Sequence, residues 1–148
     1  MRRPPPLPTI EEVRELAAQF AASFESVQVV YAFGSLVRGR TKPESDVDLA
    51  LWVDPCSNRD RFDLRLDAMG WFMNHLRRDN VDLIILNDAP PVLQYNAVCR
   101  GQLLYERKPG LSWQCWRRAL NMYWDAKPML DRSTKRVLAT LREWRRDG

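Results

Sequence analysis

The chain of 148 residues is 45% hydrophobic and 28% charged, which is typical of one soluble globular domain with its own core. No apolar run approaches the ~20 residues of a membrane span, so we expect no such span. The opening "MRRPPPLPTI" has no apolar stretch after its arginines, so we expect no secretory signal and a cytoplasmic location. One histidine, and three cysteines without a Cys-x-x-Cys pair, argue against a zinc site and histidine-based acid–base catalysis.

The beginning of the chain predicts a flexible lead followed by a helix and a strand. Residues 1–8 are rich in proline and form the lead. Thr9 and Glu12 have the spacing of a capping box, in which each side chain bonds the other residue's backbone N–H, and apolar residues then recur at helical spacing. We therefore predict a helix over 10–24. The run "VQVVYAF" over 27–33 is β-branched and aromatic, which predicts a buried strand.

The middle of the chain alternates between strand and helix patterns. Predicted strands cover 45–53, 81–86 and 102–106, and a predicted amphipathic helix covers 58–78. Asp88 is expected to cap a short helix that has prolines in its first turn and ends at Gly101. This order of elements predicts an α/β chain.

The last forty residues differ from the rest in charge. Residues 1–106 hold 12 Lys and Arg against 15 Asp and Glu, whereas residues 107–148 hold 11 against 4, together with four of the six tryptophans. Two helices are predicted here, with Pro128 breaking or kinking the pattern between them. A basic, Trp-rich tail is suited to nucleic acid or to an acidic protein partner. The simpler interpretation is a basic helical pair that packs its tryptophans inward.

The stretch "GSLVRGRT" after the first strand predicts a phosphate-binding turn. It resembles a Walker A loop, but Arg40 stands where that loop has lysine, and Pro43 and a new strand follow where it needs a long helix. We therefore favour an anion-binding turn, in which Gly34 lets the backbone approach a phosphate closely. The Ser35 hydroxyl and the amides of a short helical turn would donate to phosphate oxygens, and Arg38 would add positive charge.

Three carboxylates predict a divalent cation site. Asp46 and Asp48, two residues apart on a strand, project from one face, and like charges so close are destabilising without compensation. Asp82 would join them if its strand pairs with the strand over 45–53. Carboxylate and phosphate oxygens are the ligands that Mg²⁺ prefers, and three such acids can hold one or two ions. The alternative is a solvent-facing strand end that happens to carry two aspartates.

Taken together, these residues resemble a known superfamily. Gly34-Ser35, ten residues, and then Asp46-Val47-Asp48 is similar to the Gly-Ser-x10-Asp-x-Asp signature of polymerase-β-like nucleotidyltransferases. The string "GSLVRGRTKPESDVDLAL" resembles the minimal nucleotidyltransferase (MNT) group, as do the later "VDLIIL" and "PVLQYNAVCRGQLLYER". The resemblance covers about residues 27–107. It implies an α/β (α+β) fold with a small mixed sheet flanked by helices, a nucleotidyltransferase core over 9–107 and a C-terminal helical extension over 108–148.

The resemblance also implies an activity. Many MNT proteins are antitoxins that transfer AMP from ATP to a tyrosine of a HEPN ribonuclease toxin, releasing pyrophosphate and silencing the toxin. It implies that Asp46 and Asp48 ligate Mg²⁺, and that Asp82 completes the metal site or helps to deprotonate the attacking hydroxyl. It implies that Gly34 and Ser35 hold the β- and γ-phosphates of ATP, with help from Arg38. The expected partner is a HEPN-type toxin in a hetero-oligomer.

Two other functions stay open at this stage. The chain could modify a small molecule or an RNA end, although the extension leaves little room for a substrate domain and the core is acidic. It could also be an antitoxin that neutralises its partner by binding alone. The proline-rich lead and the Trp- and Arg-rich tail match no signature of the family and leave the acceptor open.

Overall fold

A four-stranded mixed sheet forms the centre of the chain in the computed structural model, which describes residues 5–39, 42 and 44–147. The strands are β1 (Val27–Phe33), β2 (Val47–Val53), β3 (Val81–Ile85) and β4 (Gln102–Glu106). Their order is β3-β2-β1-β4; β1 runs antiparallel to β2 and β4, and β2 runs parallel to β3. The strand pattern of the sequence is confirmed, except that β2 begins two residues later than expected and Asp46 precedes it.

Five helices surround the sheet. They are α1 (Ile10–Ser23), α2 (Ser35–Arg38), α3 (Arg61–Leu76), α4 (Pro91–Val98) and α5 (Leu111–Asp147), with a 3₁₀ turn at Leu86–Asp88. The predicted capping box is present: Glu12 N–H donates to the Thr9 hydroxyl, and Thr9 N–H donates to the Glu12 carboxylate. Because these bonds satisfy two amides that a helix start leaves unpaired, they fix where α1 begins.

The helices pack on both faces of the sheet. One face is covered by α1 and α3, whose Phe20 and Phe72 are fully buried with ring centroids 5.2 Å apart. The other face is covered by α4 and the first part of α5, which contribute Ala97 and Ala119. Alternate residues of a strand point to opposite faces. Asp48 therefore lies on the same face as Ala50, which packs under α4 and α5.

The segment between β3 and β4 differs from the prediction. Asp88 does not cap the short helix, because it ends the 3₁₀ turn and α4 begins only after Pro90. The helix ends at Val98 rather than at Gly101. A Cβ at Gly101 would lie 2.0 Å from the Ala97 carbonyl oxygen, so this glycine is needed for close backbone approach.

The C-terminal region is one helix, not two. Helix α5 continues through Pro128, so the prediction of two helices broken there was wrong. Pro128 has no N–H, so the carbonyl one turn earlier in the helix lacks its usual partner. Because Pro128 is exposed, water can bond that carbonyl. The expectation that the tail packs its tryptophans inward was also wrong, since Trp113, Trp124 and Trp144 are 60%, 56% and 80% exposed.

The described part of the proline-rich lead contacts the core. Leu7 packs against the α1 and α3 side of the sheet, and the Arg78 guanidinium donates to the Pro5 carbonyl at 2.8 Å. Residues 1–4 of the predicted lead, and Arg40 and Pro43 of the loop before β2, lie outside the described residues. Within the described ranges, no helix combines the length and apolar content needed to cross a bilayer.

Candidate active site

The turn after β1 brings backbone and carboxylate into direct contact. Gly34 has φ of +72° and ψ of −145°, and its carbonyl accepts from the N–H groups of Val37 and Arg38 at the start of α2. A Cβ at Gly34 would lie only 2.3 Å from Asp48 Oδ2. Glycine is thus required twice, once for its backbone angles and once because the Asp48 carboxylate lies against its Cα.

The second carboxylate is set beside the first by strand register. In the parallel pair of β2 and β3, Asp48 is the partner of Asp82. In the antiparallel pair of β1 and β2, Asp48 is the partner of Phe33, the residue before Gly34. The sheet therefore brings together two of the predicted acids and the predicted phosphate turn, although these residues are far apart in sequence.

Negative charges lie close together at Asp48. Its pKa is raised above the ordinary value by burial first, and then by the negative charges of Asp82 and Asp46. Asp46 itself is exposed and lies just before β2. We call Asp46, Asp48 and Asp82, together with Gly34, the carboxylate edge.

An arginine that the sequence analysis did not single out contacts this edge. Arg65 of α3 donates from Nε to the Leu83 carbonyl at 2.7 Å, and its Nη2 lies 3.8 Å from Asp82 Oδ1. The contact joins a helix to a strand 17 residues later. Nothing in the local spacing indicates it, since Arg65 reads as one of several charges on the polar side of α3.

A cavity of about 330 Å³ opens next to Arg65, at the outer side of β3. Phe62, Ile84, Pro90 and Leu93 give it apolar walls, and Arg61, Arg65 and Asp88 add charge. Its size is at the lower end of small-molecule pockets. Ile84 follows Asp82 on the same face of β3, so the cavity is adjacent to the carboxylate edge.

The donors of the carboxylate edge fit Mg²⁺. They are hard oxygens, and a cation would relieve both causes of the raised pKa of Asp48, burial first and then the charges of Asp82 and Asp46. Among the described residues, no three His, Cys, Asp or Glu side chains form a group that could hold a metal ion by themselves. Mg²⁺ usually takes one or two protein carboxylates and fills its shell with phosphate oxygens and water.

The remaining predicted residues lie around the turn. Ser35 is the first residue of α2 and is partly exposed, and Arg38 ends this helix with an exposed side chain. The first amides of a helix have no acceptor within the helix. The turn therefore presents N–H groups and a hydroxyl next to Asp48, as phosphate binding would require.

The comparison with protein families finds one match. The model described as "Polymerase beta, Nucleotidyltransferase" matches residues 15–110, which include β1–β4 and every candidate residue named above. No curated protein matches the chain in sequence.

Several solved structures share the fold. The crystal structure of a toxin–antitoxin with AMP-PNP contains a chain that is 21% identical, with a TM-score of 0.73 over 84% of this chain and 98% of that one. The MntA–HepT toxin–antitoxin structure gives 20% identity and a TM-score of 0.67 over 84% and 96%. A tri-AMPylated Shewanella oneidensis HEPN toxin in complex with an MNT antitoxin gives 18% and 0.68 over 86% and 98%.

Proposed function

The chain belongs to the polymerase β nucleotidyltransferase family, and we propose that it is an antitoxin that transfers AMP from ATP to a tyrosine of a HEPN ribonuclease toxin. The observation that carries the proposal is the contact between Gly34 and Asp48, with Asp82 in register beside them. A glycine turn against a carboxylate pair suits a nucleotide whose phosphates lie between amides and a metal.

The residues would divide the work as follows. Gly34 and Ser35 would bind the β- and γ-phosphates through backbone amides and a hydroxyl, and Arg38 would add positive charge. Asp46 and Asp48 would hold Mg²⁺, which when bound would neutralise phosphate charge and orient the nucleotide.

Asp82 would act on the acceptor. The tyrosine oxygen attacks the α-phosphorus, the bond from that phosphorus to the bridging oxygen of pyrophosphate breaks, and pyrophosphate leaves. The phenolic proton passes to the Asp82 carboxylate and then to water. Arg65 contacts Asp82 and would help to hold this carboxylate in place, and the Asp82 side chain, 55% exposed, is accessible to an acceptor.

The comparisons support the choice of acceptor. Similar folds occur in a toxin–antitoxin bound to AMP-PNP and in a complex whose HEPN toxin carries three AMP groups. A HEPN toxin with an exposed tyrosine is accordingly the partner that we assign to this chain, with ATP as the donor.

The test uses ATP labelled at the α-phosphate. The full chain is incubated with Mg²⁺ and the HEPN-type protein encoded beside it, and label on that protein is measured. We expect Asp48→Asn to reduce labelling at least about a thousandfold, since charge stabilisation by a catalytic metal contributes several kcal/mol and each ~1.4 kcal/mol is tenfold.

The matched control is Asp79→Asn, which removes an exposed carboxylate three residues before Asp82. It should label the partner as the unchanged chain does. A partner that is silenced equally by the Asp48→Asn variant, without label, would show that neutralisation occurs by contact and that transfer is not its cause.

A further inference from the structure

The second half of α5 projects beyond the rest of the molecule. All residues from Pro128 to Arg146 are exposed, whereas Cys115 and Ala119 in the first half are buried in the core. The last contact to another helix that involves aromatic rings is at Tyr123, which stacks on Tyr95 of α4 at 4.1 Å. At about 1.5 Å per residue, the projecting part is about 30 Å long.

The face of α5 that packs on the core continues along the projecting part as an apolar stripe. Three- and four-residue steps lead from Cys115, Ala119 and Tyr123 to Leu130, Val137, Leu141 and Trp144. Val137 and Leu141 are each 58% exposed, and Trp144 is the most exposed large apolar side chain. The stripe is therefore a core-type surface that has no counterpart among the described residues.

A helix with an exposed apolar stripe has few interactions that stabilise it in water. Helices of this length in water take most of their stability from packing of an apolar face, and Pro128 removes one backbone hydrogen bond and adds steric conflict. Thr134 and Thr140 turn their hydroxyls back to carbonyls one turn earlier, at 3.0 Å, which leaves their methyl groups for contact. These features are typical of a helix that completes its packing in a complex.

The positive charge of this segment favours one kind of binding partner over the others. Residues 127–147 hold seven Lys and Arg against three Asp and Glu. A second copy would place two such basic segments together and would be repelled. Nucleic acid would satisfy the arginines but would leave the stripe of Leu, Val and Trp in water. An acidic protein surface with an apolar groove satisfies both.

We propose that residues 127–147, the docking helix, bind an apolar groove bordered by carboxylates on the acceptor protein. The first half of the same helix, α5, packs on the carboxylate face of the sheet: Arg118 lies 4.7 Å from the ring centroid of Trp52, which shares a strand face with Asp48. A partner held by the docking helix is thus on the same side of the sheet as the carboxylate edge. This inference rests on the proposed function, because it names the surface of that same acceptor.

The test compares two carboxylates introduced two residues apart, on opposite sides of the docking helix. Val137→Glu places a negative charge within the stripe, whereas Ala139→Glu places it on the opposite side of the same exposed segment. The full chain is titrated with the neighbouring HEPN-type protein, and both binding and transfer of labelled AMP are measured. We expect Val137→Glu to weaken binding at least about 30-fold and Ala139→Glu to leave it unchanged.

Transfer provides an independent readout. With Val137→Glu, labelling should fall at low partner concentration and recover when the partner is in excess, because the carboxylate edge is intact. If the two variants bind the partner equally, the docking proposal is rejected, while label on the partner would still support AMP transfer. If Val137→Glu binds more weakly than Ala139→Glu but no label appears on the partner, the docking proposal is retained and the proposed function is rejected.

Each alternative binding partner of the docking helix predicts a different experimental result. A dimer of the chain alone in sedimentation, abolished by Val137→Glu, would overturn the proposal in favour of a second copy. Salt-sensitive binding to an RNA hairpin, lost with the same variant, would overturn it in favour of nucleic acid.

Discussion

The carboxylate edge and the docking helix both expose groups that a folded chain normally pairs or buries, but they differ in how they are built. The edge is held by strand register and a close glycine contact, so its like charges stay together whether or not anything binds. Within the described part of the docking helix there is no such support, because every side chain from Pro128 to Arg146 is exposed. One region is therefore a preorganised site that the core imposes, and the other is a surface that depends on its partner.

Replacing Gly34 is the strongest test of preorganisation. In Gly34→Ala the new Cβ meets Asp48 Oδ2 and must displace it, so we expect AMP transfer to fall about 100-fold, the scale of a displacement of about 1 Å in a reacting geometry. The backbone angles of Gly34, which only glycine adopts readily, should also make the alanine variant less stable, by about 1–3 kcal/mol in the free energy of unfolding.

Gly39→Ala separates the two effects. Gly39 has almost the same φ, +71°, but its ψ is 6° instead of −145°, and its Cβ would meet nothing within 4 Å among the described residues. Because an L residue tolerates this left-handed conformation more readily than the backbone angles of Gly34, the variant should lose less stability in urea denaturation than Gly34→Ala and keep its transfer rate. Equal losses of transfer in both variants would show that the edge responds to backbone strain and not to the position of Asp48.

A substitution of Arg65 tests whether a contact from α3 helps to position the carboxylate edge. Arg65→Gln removes the charge that faces Asp82, the proposed proton acceptor, and proton transfer by a positioned carboxylate contributes about 100–10,000-fold. We expect loss of this one contact to remove only part of that contribution, about tenfold in kcat, because the Leu83 carbonyl can still be bonded by glutamine.

The matched variant is Arg61→Gln, one turn earlier on α3, whose guanidinium bonds Asp88 at 2.6 Å and lines the same cavity. If its kcat falls as much as that of Arg65→Gln, the charge of the cavity is responsible, and the contact with Asp82 is not. A selective loss with Arg65→Gln would place the effect at the edge.

The pH dependence of stability measures the cost of keeping the Asp48 carboxylate charged in the folded chain. The pKa of Asp48 is higher in the folded chain than its ordinary value of 3.8, so the native state binds this proton more tightly than the unfolded state does. Stability therefore falls as pH rises from the ordinary pKa through the raised one, and the cost persists above that window. The metal-free Asp48→Asn variant should lack this decrease and be more stable at neutral pH.

Calorimetry of the unchanged chain, Asp48→Asn and Asp79→Asn across this range, with and without Mg²⁺, checks the sign. Mg²⁺ should raise the melting temperature of the unchanged chain and of Asp79→Asn more than that of Asp48→Asn. If Asp48→Asn melts below the unchanged chain at neutral pH, the cost of the buried carboxylate charge is not the dominant effect at this position.

The two regions also differ in what the sequence could predict. Strand runs of β-branched residues and the Thr9–Glu12 capping box are local signals, so β1 and α1 were placed within a residue or two. The pairing of Asp48 with Asp82 depends on strand order, which the spacing of residues does not encode, and the contact of Arg65 with Asp82 depends on helix packing. The family resemblance indicated the acids, but the geometry that joins them had to come from the fold.

In the last helix, local signals misled for a physical reason. Pro128 usually ends a helix because it removes an N–H and clashes with the preceding turn. Here the affected backbone is exposed, so water replaces the lost bond and the apolar period continues on both sides. The inward packing of the tryptophans was expected from a helical pair, and a single helix whose residues from Pro128 to Arg146 are exposed has no second helix to pack them against.

The smallest effect is expected from removing the docking helix. A chain that ends before Pro128 loses only exposed residues, so its free energy of unfolding should change by less than about 0.5 kcal/mol, which is the usual range for surface changes. A chain that ends before Cys115 loses the buried Cys115 and Ala119 and should unfold far more easily. Urea denaturation of the two truncated chains measures the contrast. If the first truncation is also strongly destabilising, the projecting helix folds back on the core in solution, and its stripe is then an internal surface and not one that depends on a partner.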